Sequence, residues 1–562
     1  MARGGQGEPT DWVTRAADDA VRHANGGSSG EGSSGEGRPV TVSSGASPSG
    51  PVHLGNLREF LTVHFVADEL HRRGIPVRHL HVWDDFDRFR RVPAGVDPAW
   101  AEHIGRPLSE VPDPWECHDS WAEHFKEPLR AALAELGVEM EEVSQTERYR
   151  AGVYREMVRT AIEHRDEIEA ILARHRTRKA AEPVESEAEE DPPAGPSGDL
   201  ARFPFKPYCG SCGRDTLDLT DFTDPVLSYT CRVCDHHGRF DLDSDTDGKL
   251  VWKVDWPMRW AFEHVDFEPA GMDHATPGSS FTVGHELVER IFGMPRPAWF
   301  GYGFVGFAGM QKMSSSAGGA PTAADALRIL EAPILRWLYV RRQPRQTFNI
   351  DFGPEVVRLY DEWDALGRKA TTKRDVAVLA FERAAGTAAG RLPTARVAVP
   401  FRTLASVADV TAGSAELISQ VIGRVGHEHD SVEDLEPRLS RAMNWTSEFV
   451  PDTDRTIVRE VPDAGRLAAL SPQETSWLQL LLENLPDGET DLEPVTTLVY
   501  GVPKLAHGLA LDAAPTDQVK ADQKEFFRLL YNLLVDKDRG PRLPTLIVAL
   551  GPDRVRSLLT PR

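Results

Sequence analysis

Residues 44–56 read Ser44-Gly45-Ala46-Ser47-Pro48-Ser49-Gly50-Pro51-Val52-His53-Leu54-Gly55-Asn56. They join a β-branched run, Val40 to Ser43, to a segment in which Leu54, Leu57, Leu61 and Phe65 recur at helical spacing. Pro48, Ser49 and Gly50 make the turn between them, and Gly74 stands where a helix C-cap is needed. Val77 to Trp83 (VRHLHVW) then alternates as a strand and runs into Asp84-Asp85. Strand, helix and strand in this order form half of a parallel α/β sheet. A helix that starts directly after such a turn aims its first N–H groups, and the positive end of its dipole, at one spot. Gly55 permits close backbone approach there, and His53 and Asn56 can donate to phosphate oxygens. By itself a His-x-Gly-Asn string also arises by chance.

The same grammar returns downstream. Leu250 to Trp256 reads as a strand, Val283 to Phe292 as a helix, and Ala298 to Val305 as another strand. The last opens into Gly309-Met310-Gln311-Lys312-Met313-Ser314-Ser315-Ser316, a loop offering one ammonium and three hydroxyls. A cation on a flexible loop can meet the charge that develops on a leaving pyrophosphate; the plainer reading is a surface turn. Both halves fit a Rossmann-type doubly wound parallel sheet split by a large insertion, at about 88–248. Beyond residue 330 the pattern is mostly α-helical, as in Glu474 to Leu482 and Lys524 to Val535.

A chain of 562 residues exceeds a single core, so two to four domains are expected. It holds no apolar run long enough to span a membrane and no Lys/Arg-led apolar leader. Lys and Arg number 64 against 87 Asp and Glu, a net charge of −23. That sign disfavours indiscriminate binding to phosphate backbones, though local basic patches can still meet a specific RNA. The Gly/Ser tract Gly26 to Gly37 predicts that residues 1–37 are a disordered extension, and the acidic, proline-bearing tract Glu182 to Asp199 predicts a solvated loop. Arg174, Arg176, Arg178 and Lys179 make one basic stretch. Arg336, Arg341, Arg342 and Arg345, interleaved with Trp337 and Tyr339, make a second; each is either an RNA contact or a solvated face.

Four of the five cysteines form Cys209-x-x-Cys212 and Cys231-x-x-Cys234, with 18 residues between the pairs. This is a four-thiolate spacing for structural Zn²⁺, with Gly210 and Gly213 easing the turns, and it points to a reducing, cytoplasmic setting. Asp113, Cys117, His118 and His124 gather four further candidate zinc ligands, a carboxylate, a thiolate and two imidazoles, within 12 residues. At strand ends, Asp84, Asp85, Asp255 and Asp273 are carboxylates able to face an amino-acid ammonium group. Asp84 and Asp85 could equally be caps, and Trp256 could equally be core.

Pro48-Ser49-Gly50 with His53-Leu54-Gly55-Asn56 resembles the His-Ile-Gly-His signature of class I aminoacyl-tRNA synthetases. Lys312-Met313-Ser314-Ser315-Ser316 resembles their Lys-Met-Ser-Lys-Ser loop. Together PSGPVHLGNLRE, DDFDRFRRVP, VDWPMRW, GMDH and KMSSS are similar to the class I lysyl-tRNA synthetases. The resemblance covers about residues 40–320 and is weaker in the C-terminal third.

It implies ATP-dependent activation of L-lysine with Mg²⁺, and transfer to tRNA(Lys). Pro48, Ser49, Gly50, His53, Gly55, Asn56, Lys312 and Met313 would bind ATP. His53, Asn56, Lys312, Ser314, Ser315 and Ser316 would serve the chemistry. Gly45, Ser47, Trp256 and His274 are the carried-over substrate positions, joined by the candidates Asp84, Asp255 and Asp273. Asp113, His118 and His124 carry over as a second metal site, with Cys117 in a slot where other members use a different ligand. Residues 331–400 would be a helical stem-contact region and 401–562 a helical anticodon-binding domain; a monomer is the favoured state. Two departures stand out: Ser315 replaces the second lysine of many class I loops, as in the lysine family, and Ala317 stands where that family often has a lysine. The alternatives are a synthetase for glutamate or cysteine, or a non-catalytic RNA-binding relative.

Overall fold

A computed structural model describes residues 9–26, 38–179, 199–276, 278–307, 319–488 and 490–560. The sequence 40–83 folds as its periodicities require. Strand β1 (Val40–Ala46) runs parallel to β2 (Val77–Trp83), pairing Val40 with Val77 through to Ala46 with Trp83. Helix α2 (Leu54–Arg72) connects them, and Gly74, with φ +69°, ends its final turn. On the other side of β2 lies β3 (Glu141–Ser144), also parallel, with Leu80 opposite Glu141. On the far side of β1, Ser43 N–H donates to Phe267 O at 2.9 Å, and Phe267 bridges in parallel to Ala298. Ala270–Gly271 and Gly301–Tyr302 extend that pairing. The order β3–β2–β1–(266–271)–(298–302) reverses its direction of growth at β1, the position where α/β sheets hold ligands.

Three expectations are corrected. The first concerns residues 1–37, read as disordered: Trp12–Gly26 is a helix, α1. Trp12, Val13, Ala16, Ala17 and Ala20 fall on one face and are buried, so this stretch has the apolar stripe that the Gly/Ser tract lacks. Trp12 sets its ring edge-on to Phe65 and Phe300 and donates Nε1–H to Val340 O at 2.9 Å. Arg383 then bonds Asp11 at 2.7 Å, Glu69 at 2.5 Å and Thr14 Oγ1 at 2.9 Å, joining α1 to α2. The Gly/Ser tract proper and the 182–198 part of the acidic tract lie outside the described residues.

Second, Leu250 to Trp256 is not a strand. A short strand, Gly248–Leu250, gives way to a helix, Trp252–Glu263. That helix is buried on most sides: Val254 and Met258 enter one core while Trp260 and Ala261 enter another. Its charged stripe Asp255, Arg259 and Glu263 is buried with the apolar residues, and the aromatic-rich opening of the segment passes for a strand. Third, the span 88–248 is not wholly an insertion, because β3 supplies a strand of the central sheet from within it.

Two compact units result. One comprises Met1–Ala326, Ala332–Ile350 and Lys369–Leu392; the other comprises Leu327–Glu331, Asp351–Arg368 and Pro393–Arg562. The second is helical, built on such elements as Phe401–Val410, Arg438–Phe449, Pro472–Asn484 and Asp517–Val535. Its buried Arg438 binds Glu331 at 2.8 Å and Asp364 at 2.9 Å and lies over Tyr360, whose ring stacks on Phe401 at 4.0 Å. No helix among the described residues is long and apolar enough to cross a membrane.

Much of the second basic stretch turns inward. Arg336 is fully buried and donates to Leu136 O at 2.7 Å, Arg383 O at 3.1 Å and Ala384 O at 3.2 Å. Trp337 and Tyr339 are core, and Arg341 lies 3.9 Å from the Trp337 ring centroid. In the first stretch Arg174 pairs with Glu286 at 2.5 Å.

The Arg383 cluster generates a stability test. Arg383→Ala strands the buried Asp11 carboxylate and should lower unfolding free energy by about 3–5 kcal/mol. Urea denaturation reads this, and a change below about 1 kcal/mol would refute the role given to the cluster.

Candidate active site

The turn after β1 delivers His53 to the N-cap of α2 in extended backbone, where its Nδ1 accepts the Asn56 N–H at 3.3 Å. No acidic residue occupies the first turn of α2, so the helix itself does not neutralise its positive end. Leu54 N–H donates to Pro321 O at 2.9 Å, and His53 pairs with Thr322 in an antiparallel bridge. The chain that leaves the strand Val305–Phe307 is thus back at the start of α2 by Pro321–Thr322. Lys312, Met313, Ser314, Ser315, Ser316 and Ala317 fall between these points, outside the described residues. Pro48 and Gly50 are buried, Ser49 is exposed, and Gly55 and Asn56 are half-buried on the opening turn.

Beside this cradle the strand ends collect carboxylates. Gly45 N–H donates to Glu59 Oε1 at 2.8 Å, and the Tyr302 hydroxyl donates to Glu59 Oε2 at 2.6 Å. Burial pushes the Glu59 carboxyl up to about 7, against these two donors and with Glu268 and Asp84 adding repulsion. Burial likewise raises Glu268, whose Oε1 accepts Trp256 Nε1–H at 2.6 Å. Asp84, at the tip of β2, is raised by burial too, while Arg259 at 2.8 Å opposes the shift. Asp273 accepts the His274 N–H at 3.2 Å, and the His274 ring stands perpendicular to Trp256 at 5.9 Å. Gly45 and Ser47 are half-buried. Ser44 Oγ bonds His81 Nδ1 at 2.8 Å, and burial holds that imidazole far below its ordinary range, hence neutral.

Two predicted residues do not open onto this pocket. Asp255 is wholly buried, bonded by the Tyr149 hydroxyl and 3.3 Å from Arg259 Nε. Asp85 takes the capping role: it accepts Thr146 N–H at 2.9 Å, Ser144 Oγ–H at 2.7 Å and Lys126 Nζ at 2.7 Å. Sequence reasoning missed Glu59, Tyr302, Glu268 and Arg259. Glu59 had a signal, since it lies one turn beyond Gly55 on the same helix face. Tyr302 and Glu268 had none, because only folding brings them to β1.

Both predicted ligand clusters are assembled. In Cys209, Cys212, Cys231 and Cys234, Sγ–Sγ separations of 3.7 Å (209 to 234) and 3.6 Å (212 to 231) compare with the about 3.8 Å set by tetrahedral Zn–S bonds. An antiparallel sheet of Leu217–Thr223, Val226–Cys231 and His237–Asp241 carries the second pair, and Gly213 turns with φ +70°. In the other cluster Cys117 Sγ lies 3.2 Å from Asp113 Oδ2, 3.1 Å from His118 Nδ1 and 3.3 Å from His124 Nδ1. Burial would raise the Asp113 carboxyl, but N–H groups of Trp115, Cys117 and His118 and the Cys117 thiol hold it far below its ordinary value. Trp121, one turn from His124, donates Nε1–H to Ser49 O at 3.2 Å, tying this cluster to the turn after β1.

A helix-start cradle at the sheet's switch point, joined to a returning loop, defines a class I aminoacyl-tRNA synthetase core. The family model described as tRNA synthetases class I (K) matches residues 10–388. A lysine–tRNA ligase of Streptomyces coelicolor is 48% identical, with 98% of each chain covered. Those of Thermococcus kodakarensis and Pyrococcus horikoshii are 35% and 33% identical, covering 92% and 96% of this chain and 95% and 97% of their own. The chain belongs to the class I lysyl-tRNA synthetase family.

Proposed function

We propose that the protein is a lysine–tRNA ligase that activates L-lysine with ATP to lysyl-adenylate and esterifies the lysyl group to the 3′-terminal adenosine of tRNA(Lys). The observation that supports the reading is the return of residues 321–322 to His53 and Leu54, from which we infer that the segment carrying Lys312 serves the same ligand as the start of α2. The turn Pro48-Ser49-Gly50, with Gly55 and Asn56, receives ATP at the positive end of the α2 dipole, and His53 steadies the phosphates. A lysine carboxylate oxygen attacks the α-phosphorus; the bond to the pyrophosphate oxygen breaks, and Lys312 with the hydroxyls of Ser314, Ser315 and Ser316 meets the charge that leaves. Mg²⁺ arrives with ATP and offsets triphosphate charge. In the second step the terminal 2′-hydroxyl attacks the lysyl carbonyl and AMP departs. Positioning and electrostatics do the catalysis, without a covalent enzyme intermediate.

Lysine brings two ammonium groups, and the pocket is built for them. Asp84, beside the turn, takes the α-ammonium; Glu59, with the Tyr302 hydroxyl, takes the ε-ammonium. Gly45, Ser47, Trp256, Asp273 and His274 shape the remainder. An anionic side chain such as glutamate would meet Glu59, Glu268 and Asp84 with like charge, which disfavours that specificity. Zn²⁺ fits both clusters by donor type and spacing, each a closed four-ligand structural site. Thiolates kept reduced fit a cytoplasmic location. The helical 401–562 region is proposed to carry the anticodon contacts, on family analogy.

ATP–pyrophosphate exchange tested with each of the twenty amino acids is expected to proceed with lysine; exchange with glutamate in its place would overturn the assignment. Lys312→Ala should slow exchange roughly 10²–10³-fold, and near-normal exchange would remove the role given to that residue. Glu59 is protonated below about pH 7 in the free enzyme and must ionise to hold an ammonium, so the KM for lysine should climb as pH falls through 7. Glu59→Gln should raise that KM roughly 10–100-fold and flatten its pH dependence. An unchanged profile would show that another group reads the ε-ammonium. Elemental analysis should find about two zinc ions per chain, falling by one in Cys212→Ser and by one in His118→Ala. Full retention of both ions in either variant would dismiss that cluster as a zinc site.

A further inference from the structure

Trp115 is 49% exposed, although the aromatic residues around it turn inward. Its ring stacks on His124 at 4.2 Å and 22°, and its backbone N–H donates to Asp113 Oδ1 at 3.0 Å. Trp121 packs beneath it at 5.9 Å and Phe125 meets it edge-on at 6.0 Å. One face of the indole is therefore occupied and the rotamer held, while the ring remains open to solvent. Holding so large an apolar surface in water has a cost, and a rigid ring loses little entropy when a flat partner stacks on it.

The surroundings select the partner. Trp121 connects this platform to the backbone of Ser49 in the nucleotide turn. Phe89 packs on Trp121 at 4.9 Å and is followed by Arg90 and Arg91, both exposed. In a chain of net charge −23, two exposed arginines thus follow directly on the ring that packs against Trp121, the residue bonded to Ser49 of the turn proposed to take ATP. Unpaired nucleotides are held by this combination, bases stacked on aromatic faces and phosphates met by arginine.

We propose that the open side of Trp115 stacks an unpaired nucleobase of the tRNA 3′ end, just upstream of the terminal adenosine, with Arg90 and Arg91 against the adjoining phosphates. The proposal rests on the ligase reading above for the identity of the RNA. Stacking tolerates any base, so the platform guides the acceptor end without reading its sequence.

The test compares dissociation constants for full-length tRNA(Lys) and for the same tRNA stripped of its unpaired 3′ nucleotides. Trp115→Ala and Trp115→Leu should each weaken binding of the full-length tRNA roughly tenfold, one stacked base. Both should bind the stripped tRNA as the parent does, and Trp115→Phe, which keeps a ring, should recover most of the loss. Lysine-dependent pyrophosphate exchange should be unchanged in all three, which certifies their folding. Equal losses on both tRNAs, no loss on either, or a leucine variant as good as phenylalanine would overturn the proposal. Absence of lysine exchange in the parent enzyme would instead strike the ligase reading, while the binding comparison would still decide whether Trp115 stacks a base.

Discussion

The hydrogen bond from Leu54 N–H to Pro321 O is the constraint on which the site depends. The first amides of a helix have no partner within it and must find one outside. Here the first of them ties down a segment more than 250 residues away in sequence, and the His53–Thr322 bridge doubles the tie. The chain that leaves the sheet at Phe307 is thereby back at the start of α2 by Pro321.

The pocket next to the cradle follows a related logic. Glu59, Glu268 and Asp84 repel one another in a partly dehydrated space, and burial raises all three. They are held by donors drawn from different elements: the Gly45 amide, the Tyr302 hydroxyl, the Trp256 indole and the Arg259 guanidinium. Such carboxylates are costly to hold together in a dehydrated space, and these donors offset part of that cost. Arg259 also holds Asp255, which ties the tip of β2 to the helix Trp252–Glu263.

Around this centre lie two side-chain clusters of metal-ligand type and several buried ion pairs. The Asp113–His124 cluster reaches the turn after β1 through Trp121. The α1 helix, fixed by Arg383, Asp11 and Trp12, braces α2 along the side away from its N-terminus. A residue pair such as Arg383 and Asp11 is stable inside only because both charges arrive together.

By itself the sequence determined the parts whose signals are local. The period-two strand Val77–Trp83, the helix from Leu54, the turn at Pro48–Gly50 and the paired Cys-x-x-Cys motifs each declare themselves within a few residues, because backbone geometry and ligand spacing act at that range. The Gly/Ser tract misled for a matching reason: its composition hid the short apolar stripe of α1 just ahead of it. The helix Trp252–Glu263 escaped because its opening residues, Trp252 to Trp256, are aromatic and apolar enough to resemble a buried strand, although Asp255, Arg259 and Glu263 recur at helical spacing. Which of Arg336 and Arg345 faces water was likewise undecided, since a basic run looks the same whether carbonyls or solvent receive it. Only the tertiary structure decided that Glu59, Tyr302 and Glu268 come together and that Asp85 and Asp255 serve other partners, because a carboxylate's surroundings are set by which dehydrated neighbours folding brings to it.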